Sequence, residues 1–189
     1  MVVAGAHAGV SLYRNNGDGT FADISAGSGL DACVYGFGVA AGDYDNNGLP
    51  DLFVSSMGFY NGESGLYRNN GDGTFTDVTR EAGLETRWAT IGAAWGDFRN
   101  NGLPDLFVAQ PGGDHLFFNR GGGLFEDRFA LSGLDAVPSS QLAVWADFDG
   151  DGGPDVYRVG ADGVGGLWRN MGDGTFAEVS EFVGLARTR

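Results

Sequence analysis

The chain has 189 residues and a formal charge of −14, with 11 arginines, no lysine, 25 acidic residues, 35 glycines and a single cysteine. That balance excludes a basic surface for nucleic acid or anionic lipid, and a lone cysteine excludes an internal disulfide or a cysteine-rich zinc site. A hydrophobic content of 42% supports a folded core, aspartate outnumbers glutamate as turns and oxygen-ligand loops require, and no apolar run is long enough to cross a membrane as a helix.

The chain opens on "MVVAGAHAGVSLYRNN", which has no basic stretch ahead of an apolar one and is not read as a signal peptide. It reads as strands, followed by "LYRNNGDGTF" (12–21), whose Asp-Gly turn reverses the chain, and a Gly29–Leu30 pair. Residues 31–84 give four strand-like segments in sequence: "GVAAGDY" (38–44), "DLFVSS" (51–56), "GLYRNN" (65–70) and "FTDVT" (75–79). Residues 85–134 repeat that order through Trp95, "LFFNRGGGLF" (116–125) and Gly133–Leu134. Residues 135–189 repeat it again through Trp145, "LWRNMGDGTF" (167–176) and Gly184–Leu185.

A unit of about fifty residues with four strands and no capped helical stripe predicts an all-β fold of β-propeller blades. The reading is a partial blade at 1–30 that lacks its first strand, then complete blades at 31–84, 85–134 and 135–189. Blades are too thin to bury their own faces, so Trp95, Trp145 and the matching Phe21, Phe75, Phe125 and Phe176 are expected to pack between them. Three and a part blades do not close a ring. The expectation is a fragment of a larger propeller, or a subunit that completes a ring with copies of itself.

Ahead of the second strand of each complete blade lies an aspartate frame: "DYDNNGLPD" (43–51), "DFRNNGLPD" (97–105) and "DFDGDGGPD" (147–155). Side-chain oxygens at positions 1, 3, 5 and 9, with glycine near 6, suit a hard cation that takes six to eight oxygens. The candidate calcium ligands are Asp43, Asp45, Asn47, the Leu49 carbonyl and Asp51, then Asp147, Asp149, Asp151, the Gly153 carbonyl and Asp155. An EF-hand would need a glutamate at position 12 and flanking helices; Val54, Val108 or Arg158 stands there, between strands. The middle frame keeps Asp97, Asn101 and Asp105 but carries Arg99 at position 3, where a guanidinium cannot ligate a cation. Arg99 is expected to replace the ion by pairing with Asp97 or Asp105, which leaves about two calcium sites. Side-chain charges of −4, −3 and −1 for loops 147–155, 43–51 and 97–105 predict affinities falling in that order.

The blade "GVAAGDYDNNGLPDLFVSS…GLYRNNGDGTFTDVTREAGL" resembles FG-GAP/VCBS-type repeats, in the form found in ASPIC/UnbV-related proteins and cartilage acidic protein. More distantly it is similar to integrin α-subunit propellers and fungal propeller lectins. The resemblance covers essentially the whole chain. It implies a propeller of seven or eight blades, calcium in the loops between first and second strands, usually an extracellular setting, and a role in adhesion, glycan binding or protein contact, rarely in catalysis. Arg99 departs from the family pattern.

Nothing else in the sequence points to catalysis. His7 and His115 fall outside the frames and at inequivalent repeat positions, Cys33 has no visible partner, and no nucleophile elbow or phosphate loop occurs. A lectin would need exposed aromatics, for which Tyr60, Trp88 and Trp168 are the candidates, with core packing as the competing role for each.

Overall fold

The computed structural model describes residues 2–5, 9–30, 36–56, 64–84, 86, 89–134, 140–160 and 162–185, with side chains from Val10 onward. His7, Cys33, Tyr60 and Trp88 lie outside the described residues. Among the described residues fifteen strands form four antiparallel sheets, each a meander in sequence order. The first sheet has three strands, β1 (Val2–Gly5), β2 (Gly9–Asn15) and β3 (Phe21–Asp23). The second holds β4 (Gly36–Gly42), β5 (Asp51–Ser56), β6 (Gly65–Asn69) and β7 (Phe75–Asp77). The third holds β8 (Gly92–Gly96), β9 (Asp105–Ala109), β10 (His115–Asn119) and β11 (Phe125–Asp127). The fourth holds β12 (Ser140–Ala146), β13 (Asp155–Gly160), β14 (Gly165–Asn170) and β15 (Phe176–Glu178).

β1 lies against β4, β4 against β8 and β8 against β12, so the sheets fan out from a row of inner strands as propeller blades do. After the fourth strand two blades make a single helical turn, α1 (Thr79–Ala82) and a 3-10 turn (Phe129–Leu131). Elements this short leave no helical period in the sequence.

The core sits between sheets, not within them. Tyr44, from the loop after β4, and Phe53 and Leu66 of the second sheet meet Leu106, Val108, Phe117 and Phe125 of the third, with Trp95 packed against them. One blade further on, Phe98, Phe107 and Leu116 meet Val156, Trp168 and Phe176. Trp145 stacks on Phe98 there, with ring centroids 3.9 Å apart. Burying each such side chain stabilises the stack by about 1.5–3 kcal/mol. Phe75, Phe125 and Phe176 pack between blades as expected, but Phe21 is 48% exposed. Its own sheet is the first of the four described.

Polar latches reinforce the same interfaces. Between the second and third sheets, Ser64 and Thr90 share a hydrogen bond, and the Ser56 amide donates to both hydroxyls. One repeat later Asp114 and Ser140 occupy the equivalent positions. Arg158 is fully buried there, donating to Asp114, to the Ser140 hydroxyl and to the Leu134 carbonyl. The ion pair is sealed by Phe107, Phe129 and Trp168, whose rings lie 5.2–5.6 Å from the guanidinium.

Candidate metal centre

Because each frame joins the first strand of a blade to its second, all three loops emerge at one end of the fan, beside the hairpin between third and fourth strands. The loops share one backbone path. Position 4 is left-handed in each, with φ of 57° at Asn46, 50° at Asn100 and 77° at Gly150. Position 6 is left-handed too, at Gly48, Gly102 and Gly152, which is why glycine recurs there. The first aspartate holds this path: Asp43 accepts from the amides of Asn47 and Gly48, Asp97 from Asn101 and Gly102, and Asp147 from Gly150, Asp151 and Gly152.

The ninth position is buried in every copy, and its carboxylate ties the loop to the sheet. Asp51 accepts from the amides of Tyr44 and Asn69, and Asp155 from those of Phe148 and Asn170. Asp105 accepts from the Asn119 amide at 2.7 Å. The same asparagines reach the preceding blade: Asn119 Nδ2 donates to the Tyr44 carbonyl and Asn170 Nδ2 to the Phe98 carbonyl. Loops 43–51 and 97–105 are thereby clamped by their own blade and the next.

Burial makes these ninth-position carboxylates poor anions. It pushes the Asp51 carboxyl up to about 6, with the Asn69 amide opposing and the charges of Asp45 and Asp43 adding to the rise. Burial also raises Asp155 and Asp105, against the amides of Asn170 and Asn119 and, for Asp105, against Arg99. A desolvated carboxylate of this kind is stabilised by an adjacent cation.

The structure brings together part of each predicted ligand set. Oxygens of Asp43, Asp45 and Asp51 lie within 4.8 Å of one another, as do those of Asp147, Asp149 and Asp151, the latter group without Asp155. Asn47 and Asp151, at position 5, also accept the amides of Leu49 and Gly153, so the seventh residue of each loop is drawn inward. Among the described residues these are the two acidic clusters close enough to share an ion. Their donors are all oxygen, the chemistry calcium prefers.

The middle loop shows what a cation does in this frame. Arg99 pairs with Asp105, not with Asp97, through Nη2 at 2.8 Å and Nε at 3.3 Å, and also donates to the Asn119 carbonyl. A positive group thus stands beside the ninth-position carboxylate where the other two loops direct carboxylates. By donor chemistry and by this stand-in charge, loops 43–51 and 147–155 fit calcium.

One participant escaped the sequence reading. Arg169, on β14, pairs with Asp149 at 2.7 Å and with Asp151 at 3.0 Å. The other candidates place themselves elsewhere. His115 pairs through Nδ1 with Asp127 at 2.6 Å and stacks on Phe117, away from the frames. Trp168 is fully buried in the core between the last two sheets and presents no ring to a ligand.

Comparison with known proteins agrees with this architecture. Cartilage acidic protein 1 of Xenopus tropicalis and that of Homo sapiens are each 31% identical to the chain over 94 residues, covering 49% of it. The chain spans 14% of the length of those relatives. A lectin of Agrocybe aegerita, solved for its recognition of non-reducing terminal N-acetylglucosamine, aligns over 90% of this chain and 60% of its own. Its TM-score of 0.40 and identity of 20% make that likeness too loose to argue from. The FG-GAP-like repeat matches at residues 1–54, 55–108 and 97–158, a span that takes in all three aspartate frames. The chain belongs to the FG-GAP-like repeat family.

Proposed function

We propose that the protein is a calcium-binding, non-catalytic recognition module, with ions in loops 43–51 and 147–155 and a protein or glycan as its partner. The observation that carries the reading is the convergence of Asp43, Asp45 and the buried Asp51 in one blade, where the equivalent loop of the next blade holds a guanidinium. Calcium would neutralise the cluster and cross-brace the first and second strands, so folding and metal binding are coupled. An extracellular setting, where calcium is millimolar, is part of the proposal. Among the described residues no helix is long and apolar enough to cross a membrane. The test is thermal unfolding in calcium and in chelator: a calcium-dependent rise supports the module, and identical melting removes its basis.

A second reading, self-association, is favoured by one face of the last sheet. Phe148 is 42% exposed although its equivalents Tyr44 and Phe98 are buried, and Tyr157 stands exposed where Phe53 and Phe107 are buried. Leu142 and Val144 extend that face, and β12–β13 pairing places Val144 opposite Tyr157. The internal interfaces show what such a face accepts, a further blade of the same repeat. Solution mass by light scattering tests whether a second copy supplies it: a dimer supports association, and a monomer at high concentration removes it.

A further inference from the structure

Each aspartate loop has one arginine to reckon with, and its position differs from blade to blade. Arg68, Phe118 and Arg169 are equivalent, each immediately preceding the asparagine that binds the ninth-position aspartate. Position 3 of the loops reads Asp45, Arg99 and Asp149. Where the loop has an aspartate, the strand has the arginine; where the loop has the arginine, the strand has a phenylalanine. In that middle blade the Arg99 guanidinium lies 4.6 Å over the Phe118 ring, so the phenylalanine supports the loop's own cation.

The two strand arginines do not behave alike. Arg169 reaches across to Asp149 and Asp151, positions 3 and 5, which are the oxygens an ion would need. Among the described residues Arg68 makes no ion pair with loop 43–51, whose Asp43, Asp45 and Asp51 converge without a guanidinium between them. Arg99 is held at 18% exposure by Asp105 and Asn119, whereas Arg169 is 44% exposed. A cavity of about 240 Å³, lined by Phe98, Arg99, Asp151 and Asn170, adjoins Arg169 and leaves room for its side chain to move.

We propose that Arg169 is a displaceable internal counter-ion of loop 147–155, so that loop 43–51 takes calcium first although loop 147–155 carries more aspartates. The inference rests on the calcium reading above. Counting the loop alone gives −4 against −3, but Arg169 brings loop 147–155 to −3 and engages two of its carboxylates. Entry of the ion must break two ion pairs there, whereas among the described residues loop 43–51 has none to break.

The experiment is calcium calorimetry on single-site proteins. Asp149→Ala leaves loop 43–51 and Asp45→Ala leaves loop 147–155; the second is expected to bind more weakly. Adding Arg169→Gln to Asp45→Ala is expected to tighten calcium about threefold to tenfold, the worth of two exposed ion pairs. Removing any arginine makes the neighbourhood more negative, so Arg68→Gln on Asp149→Ala is the control, expected to change affinity by less than about twofold. An unchanged or weakened affinity with Arg169→Gln, or an equal gain from Arg68→Gln, overturns the counter-ion. Absence of calcium heat in both single-site proteins would instead take down the calcium reading, and this inference with it.

Discussion

Loops 97–105 and 147–155 occupy the same place in successive blades, follow the same backbone path and differ in where their positive charge comes from. In both, the first aspartate collects amides around a left-handed turn and the ninth is buried against the third strand. Loop 97–105 carries its cation covalently as Arg99; loop 147–155 has four aspartates and borrows a guanidinium from β14. The comparison separates two roles that the sequence frame merges. Positions 1 and 9 build the turn, and position 3 carries the difference, Arg99 in one loop and Asp149 in the other. The loops also differ in cover, since Phe98 lies beneath Trp145 while Phe148 is exposed.

The largest way to break the comparison is to remove calcium. With both ions at a hundredfold over their dissociation constants, chelation is expected to cost about 5 kcal/mol and lower Tm by about 10 °C. Scanning calorimetry checks this; loop 97–105 should contribute nothing to the loss. Next comes the difference in cover. Trp145→Ala is expected to destabilise by about 3 kcal/mol through the cavity left over Phe98, and Phe148→Ala by less than about 1 kcal/mol, read from denaturant midpoints.

A smaller effect converts one loop into the other. Arg99→Asp removes the partner of buried Asp105 and is expected to cost about 2–3 kcal/mol in chelator, recovered when calcium enters the new site. Failure of calcium to recover it would mean that Arg99 is not a stand-in for an ion. The smallest effect is the proton's. Because burial raises Asp51 to about 6, protons compete with calcium at loop 43–51 as pH falls below that value. Affinity there should weaken by up to about tenfold per pH unit, measured by titrations at pH 7, 6 and 5.

Much of this was legible from spacing. The repeat of Asp43, Asp97 and Asp147 located the loops, the matched aromatics located the blade interfaces, and the lack of a position-12 glutamate removed the EF-hand. Arg99 was visible as an intruder, and of its two possible partners the structure pairs it with Asp105, while Asp97 accepts the amides of Asn101 and Gly102. Arg169 was not legible, since only the pairing of β13 with β14 brings it to an aspartate 18 residues away. The Arg158–Asp114 latch spans 44 residues and two blades, which local pattern cannot reveal. For Trp168 core packing is the reading favoured over a ligand platform, and it is core, packed against the preceding sheet. Periodicity finds what every blade shares; the departures that matter for binding come from contacts between strands.

The most direct test is the number of calcium ions held per chain, counted by native mass spectrometry across a calcium titration. The account predicts two, with loss of one on Asp45→Ala and of the other on Asp149→Ala. Zero ions would contradict the metal centres altogether, and three would contradict the role given to Arg99.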